Sequence, residues 1–123
     1  MSKQTIALDG VVAELFAAIN AFDTDAIMGT FADDALVNDV QREFWGKGDI
    51  RRWVEREIVG DKVTVEVADA IQHDGLTIVE GVYDGEYDKT GLPDPLVLTN
   101  YITVAEDTGK IANLIIIHNR SVQ

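Results

Sequence analysis

Cysteine is absent from this 123-residue chain, proline occurs twice, and aromatic residues make up 7% of positions. Without thiols there is no disulfide framework, thiolate nucleophile, Cys-ligated zinc or iron–sulfur cluster. Histidine occurs only at His73 and His118, too few for a metal site built on imidazole. Basic residues are scarce as well: 10 Lys and Arg face 22 Asp and Glu, a net charge of −12 spread evenly over the two halves. Nucleic acids and anionic membranes are both gripped by Lys and Arg, so neither partner is expected. No apolar run approaches the ~20 residues needed to cross a bilayer, and the N-terminus carries no basic stretch leading into an apolar one. The expectation is a soluble, cytoplasmic protein. No glycine-rich phosphate loop, His-Glu-x-x-His, Gly-x-Ser-x-Gly or calcium-loop spacing occurs, and nothing calls for a cofactor.

What is present is 46% hydrophobic content, arranged in two periods. A chain of this size buries roughly two-thirds of its unfolded surface, so residues 1–123 read as one domain. Over 5–22, Leu8, Val12, Leu15, Ile19 and Phe22 recur every three or four positions, the stripe of an amphipathic helix. Asp23 or Thr24 can cap a second helix over 23–33, with Ile27, Met28 and Phe31 as its stripe. A third, over 48–59, carries Ile50, Trp53, Val54 and Ile58 and stops at Gly60. Extended stretches are expected at 35–39 and 43–45, and the pairs Asp23/Asp25 and Asp33/Asp34 read as helix-end caps. From Lys62 the period becomes two. Val63, Val65, Val67 and Ile71 alternate with mostly polar neighbours, Asp74-Gly75 supplies a hairpin turn, and the strand returns over 76–87. A loop with Gly91, Pro93 and Pro95 leads to a strand over 96–105, and a turn at 106–109 to another over 110–119. Helices followed by four long strands predict an α+β fold, with the helical stripes covering one face of a curved, mostly antiparallel sheet.

The segments Phe22-Asp23-Thr24-Asp25-Ala26, Phe31 to Asp39 and Trp45-Gly46-Lys47-Gly48-Asp49-Ile50-Arg51 resemble the nuclear-transport-factor-2-like superfamily, in its SnoaL-like and ketosteroid-isomerase-like branches. The resemblance covers nearly the whole chain. It implies a cone-shaped α+β barrel of the cystatin-like type, with three N-terminal helices inside a strongly curved sheet and an apolar pocket at the open end.

The segment matched by Ala32 to Asp39 ends, in ketosteroid isomerases, in the aspartate used as general base, so the resemblance makes Asp39 the candidate base. A carboxylate at the rim of an apolar pocket can take a proton from the carbon next to a carbonyl. Those isomerases hold the developing oxyanion with a Tyr from the first helix and a protonated Asp from a late strand. Leu15 stands where that Tyr would be and cannot donate. Asn100 stands at the Asp position with an amide that can. Matched to the family, strand alternation turns Leu114, Ile116 and His118 toward the pocket and Ile115 and Ile117 away. His118 adds an imidazole able to serve as acid, base or donor. Trp53 matches an aromatic wall position, and Leu15, Phe16, Tyr83 and Ile102 are further wall candidates that would serve a packed core equally well. The Tyr83 hydroxyl replaces the donor missing at Leu15 if its ring points inward. Asp69 shares a face with Val65 and Val67, or else the strand bulges there.

Two classes of function follow from the resemblance. One is a cofactor-free isomerase or polyketide-cyclase-like enzyme for a small apolar carbonyl compound, with Asp39, Asn100 and His118 as its catalytic set. The other is a non-catalytic module that binds a hydrophobic ligand or dimerises. Ile115 and Ile117 on the outer face need a cover, which predicts a homodimer packed through its sheets.

Overall fold

A computed structural model describes residues 8–118. Most of the first apolar stripe forms helix α1, Gly10–Asn20, with Val12, Leu15, Phe16 and Ile19 buried, but its last member, Phe22, lies past the helix end in a turn at φ +57 and is exposed. Leu8 stays outside the helix and packs against the core, while residues 5–7 of the expected helix lie outside the described residues. The Asn20 side chain fastens the end of α1 to the sheet: its oxygen accepts the Val65 N–H at 2.7 Å and its amide donates to the Val65 carbonyl at 2.9 Å.

Asp23 caps helix α2, Thr24–Gly29, by accepting the Ala26 N–H at 3.1 Å. This helix ends four residues earlier than its pattern predicts. The Thr30 hydroxyl donates back to the Ile27 carbonyl at 2.7 Å, and the Thr30 carbonyl accepts the Ile111 N–H at 2.8 Å, which draws the chain into strand β1, Phe31–Asp39. Asp33 and Asp34 therefore lie exposed on a strand, where its register against its neighbour shifts, and not at a helix end.

Strand β2, Arg42–Trp45, returns from β1 through a two-residue turn with Val40 at φ +50 and Gln41 at φ +72. A β-branched residue in this region costs about 1–3 kcal/mol and persists only where its surroundings fix it. Here they do, because the Val40 N–H donates to the Ile116 carbonyl at 2.9 Å and the Gln41 N–H to Asn38 Oδ1 at 2.8 Å.

Helix α3, Gly46–Trp53, continues as a π-helical turn over Val54–Ile58. The predicted stripe of Ile50, Trp53, Val54 and Ile58 is buried throughout. Gly60 ends it by necessity, since a Cβ there would sit 2.6 Å from the Glu55 carbonyl oxygen. Strands β3, Thr64–His73, and β4, Leu76–Asp84, form the expected hairpin, with Asp74 and Gly75 both at positive φ. The bulge anticipated near Asp69 is present between Val67 and Asp69. β4 stops at Asp84, short of Tyr87, because the Glu86 N–H turns back to the Asp61 carbonyl at 2.6 Å. Strands β5, Leu96–Val104, and β6, Ile111–His118, complete the set, and residue 119 lies outside the described residues.

The six strands run in the order β2-β1-β6-β5-β4-β3, antiparallel at every junction except β1–β6. The sheet is open between its β2 and β3 edges, so the α+β fold is a cone around the helices and not a closed barrel. Alternation places successive cross-strand pairs on its inner face: Ile102–Leu114 deepest, then Asn100–Ile116, then Leu98–His118 toward the open end. Asp39 pairs with Ile116 and so joins the middle row. No helix among the described residues is long and apolar enough to cross a membrane.

Candidate functional site

A cavity of about 250 Å³ opens at the Leu98–His118 end of the cone. Ile58, Val63, Leu96, Leu98 and Ile116 give it an apolar wall, Trp53, Tyr83 and Tyr87 add rings, and Asp39, Arg42, Glu57, Asp61 and His118 place polar groups around it.

Asp39 is the last residue of β1, held by the strained turn that follows. Its side chain is 18% exposed. Two donors converge on one of its oxygens: the Trp53 indole Nε1–H at 3.1 Å and the Arg42 Nη2 at 2.9 Å, both on Oδ2. Arg42 is gripped in turn by Glu57, Nη1 to Oε2 at 2.9 Å and Nη2 to Oε1 at 2.6 Å, a two-pronged pairing that fixes the plane of the guanidinium. The hydrogen bond that Arg42 donates to Glu57 and the charge of Asp39 push the guanidinium further above its already high range, against partial burial. The Arg42 guanidinium also lies 5.7 Å from the Phe44 ring centre, and Phe44 packs on Trp53 at 5.9 Å. The carboxylate is thus oriented from two sides by groups that are themselves held, and neither bond occupies Oδ1.

Tyr83 lies on the inner face of β4, and its hydroxyl donates to Asn100 Oδ1 at 2.9 Å, two inner-face rows further in on β5 than its own partner Leu96. That reach crosses Gly81. A Cβ at Gly81 would meet the Tyr83 ring at 3.2 Å and Val65 Cγ1 at 2.6 Å, so only glycine leaves the ring its path. Burial pushes the Tyr83 hydroxyl upward from its ordinary value; the hydrogen bond with Asn100 opposes this and the charge of Asp39 adds to it. The hydroxyl consequently stays protonated through the neutral range. Asn100 is 1% exposed, and its amide Nδ2 faces the Val79 carbonyl at 3.4 Å.

Of the positions singled out in the sequence, Asp39, Trp53, Tyr83, Ile116 and His118 all border this cavity. Asn100 does not: it sits behind Tyr83, with its oxygen taken by the Tyr83 hydroxyl. Leu15, Phe16, Ile102 and Leu114 are core residues and do not line the cavity. The register explains the last two, since the Ile102–Leu114 pair lies one row deeper than Asn100–Ile116. Leu15 and Phe16 are packed away in the buried stripe of α1. Asp69 accepts the N–H of Ala70 at 2.9 Å within the bulge and is absent from the cavity lining.

Arg42, Glu57, Asp61, Tyr87 and Leu92 escaped the sequence reading. Arg42 carried one usable signal, an opposite charge three residues after Asp39. That signal means contact only once the intervening Val40-Gln41 pair is known to be a tight turn. Glu57 carried none, because the π-helical turn changes the face it presents.

The SnoaL-like domain family model matches residues 12–114. The chain belongs to the SnoaL-like domain family. None of the proteins of curated function matches it. Among solved structures, this SnoaL-like domain is similar to a protein from Sinorhizobium meliloti provisionally assigned as a polyketide cyclase, with 28% identity, coverage of 89% of this chain and 94% of that one, and a TM-score of 0.77. It is also similar to a Catenulispora acidiphila protein of ketosteroid isomerase-like fold, solved with trimethylamine: 20% identity, 94% and 89% coverage, TM-score 0.75. A third is SalBIII, an epoxide hydrolase/cyclase-like enzyme of pyran ring formation in the polyether salinomycin: 20% identity, 89% and 88% coverage, TM-score 0.72. The last two likenesses concern the fold, which hosts many chemistries.

Proposed function

We propose that this SnoaL-like domain binds a small, neutral, apolar carbonyl compound and removes a proton from the carbon beside its carbonyl, with Asp39 as general base. One observation carries the reading: a carboxylate fixed by Trp53 and Arg42 faces a cavity whose wall is largely apolar and aromatic, with one oxygen left unengaged by either donor. A base so held needs no reorientation when substrate arrives. The polyketide cyclase assignment of the Sinorhizobium relative agrees with carbonyl chemistry of this kind. At about 250 Å³, the cavity lies just below the usual range of about 300–1,000 Å³ and suits a one- or two-ring head group better than a four-ring steroid.

Of the three oxyanion donors that the sequence offers, this reading uses Tyr83 and His118 directly and sets Asn100 behind Tyr83. Asn100 serves through Tyr83: as the carbonyl oxygen gains charge, the Tyr83 hydroxyl turns from Asn100 to it, and the His118 ring offers a second donor from the wall. The proton passes from the substrate carbon to Asp39, and its return to a different carbon of the enolate gives an isomer. The occupied Tyr83–Asn100 bond favours a second reading, a receptor that holds the carbonyl compound without turning it over. The two are separated by following loss of the α-proton signal of cyclohexenone in heavy water by proton NMR. Exchange well above the buffer rate supports the enzyme; binding with exchange at the buffer rate supports the receptor.

The proposal extends to assembly. The outer face carries a row of residues in register, Ile71, Ile78, Tyr101 and Ile115, with Ile71 46% exposed and nearby Ile117 40% exposed. A homodimer covers this row by packing sheet against sheet. Light scattering at micromolar concentration is expected to give twice the chain mass, and the chain mass alone would contradict the dimer.

A further inference from the structure

We propose that the site has two chambers and takes an elongated ligand, its apolar head beside Asp39 and its flexible, uncharged polar tail in a second cavity under the β4–β5 loop. The inference rests on the reading of the first cavity as a ligand site. The second cavity measures about 590 Å³, more than twice the first. Tyr83, Tyr87, Leu92 and Leu96 line both, so the two spaces lie on opposite sides of one wall of side chains.

Half of that wall is weakly held. Tyr83 and Leu96 are paired strand residues, but Tyr87 and Leu92 belong to the loop. The Tyr87 hydroxyl reaches the Tyr83 carbonyl at a long 3.3 Å, and the Leu92 N–H bonds only within the loop, to the Lys89 carbonyl at 3.1 Å. Parting these two side chains joins the chambers without disturbing the sheet.

The chemistry of the second chamber sets the tail. Val82, Pro93 and Pro95 give it apolar surface, while Asp84, Lys89 and Asp94 make it polar. Lys89 is already committed to Asp84 at 2.7 Å and lies 5.6 Å from the Tyr87 ring centre. Lys89 feels the charge of Asp94 as well as that of Asp84, and one Lys against two Asp leaves the chamber net negative, which turns away a carboxylate, while Asp94 accepts a hydrogen bond from a hydroxyl or amide. A ligand with a compact ring, a carbonyl and a chain ending in such a group fits both spaces.

The test uses the full chain and three phenyl ketones: acetophenone, an analogue with a hexyl chain ending in a hydroxyl beside a photoreactive diazirine, and the same chain ending in a carboxylate. The hydroxyl-ended probe is expected to bind at least roughly tenfold more tightly than acetophenone, from burial of its chain. The carboxylate-ended probe is expected to lose that gain. After irradiation, the label is expected within residues 82–96. Equal affinities for acetophenone and the hydroxyl-ended probe, or label on Arg42 and Glu57 at the mouth, overturn the two-chamber proposal and leave the first cavity standing. If acetophenone itself fails to bind, the underlying reading falls and this inference with it.

Discussion

In the Asp39→Asn variant, removal of the proton next to a ketone carbonyl is expected to slow by about 10²–10⁴-fold, the usual contribution of a positioned general base. The substitution is nearly isosteric, and its side-chain oxygen can still accept the Trp53 indole N–H now received at 3.1 Å. Arg42 keeps its two-pronged hold on Glu57, so the rim of the cavity has no reason to rearrange. What is lost is the basic oxygen, and one ion pair to a largely exposed Arg, which costs at most about 1 kcal/mol of stability. The expected pattern is a collapse of the exchange rate with ketone affinity kept within about threefold, the mark of an interaction made chiefly in the transition state. NMR exchange kinetics and a binding titration on the same samples check it. A fall of less than about tenfold takes Asp39 out of the chemistry.

Trp53→Ala is expected to be the most damaging change to the site's framework, costing about 3–5 kcal/mol. The ring is 3% exposed and does three things at once: it fills space under the cavity, packs on Phe44 at 5.9 Å, and donates to Asp39. For a domain of this size the loss corresponds to a fall in Tm of roughly 10–20 °C. Trp53→Phe separates the roles, because it keeps most of the apolar volume and removes the indole donor. That variant is expected to lose only about 1–2 kcal/mol while leaving Asp39 with a single partner. Thermal unfolding of both variants checks the difference. Equal losses would show that the indole hydrogen bond to Asp39, and not packing, carries the contribution of Trp53.

The strands that build the cavity were readable because period-two alternation fixes which face a side chain takes. Asp74-Gly75 set the hairpin, and alternation from Ile111 onward, matched to the family, puts Ile116 and His118 on the inner face, where they lie. Alternation says nothing about depth. Leu114 and Ile102 share that face and are nevertheless core, because depth depends on the pairing of β5 with β6, which no local pattern encodes. The end of α2 was misplaced for a related reason. Phe31 continues the helical stripe of Ile27 and Met28, but Thr30 and the pairing of Phe31 with Ile111 claim it for the sheet. The charged frame around Asp39 was the least legible part. It depends on Val40 adopting a backbone conformation that its own side chain opposes, and on a π-helical turn in a segment whose sequence reads as ordinary helix. Both are places where the tertiary structure overrules local preference, and both lie at the rim of the cavity.

The most direct test of the account is a nitrogen-15 NMR titration with cyclohexenone, watching the two indole N–H signals. The Trp53 indole borders the cavity and is bonded to Asp39, whereas Trp45 is 60% exposed and bonded to Glu43 at 3.1 Å on the rim of β2. A ligand that enters beside Asp39 is expected to shift the Trp53 signal in a saturable way and leave the Trp45 signal in place. A Trp53 signal that stays fixed while the ligand binds, or a shift confined to Trp45, would contradict the central claim that this cavity is where the ligand sits.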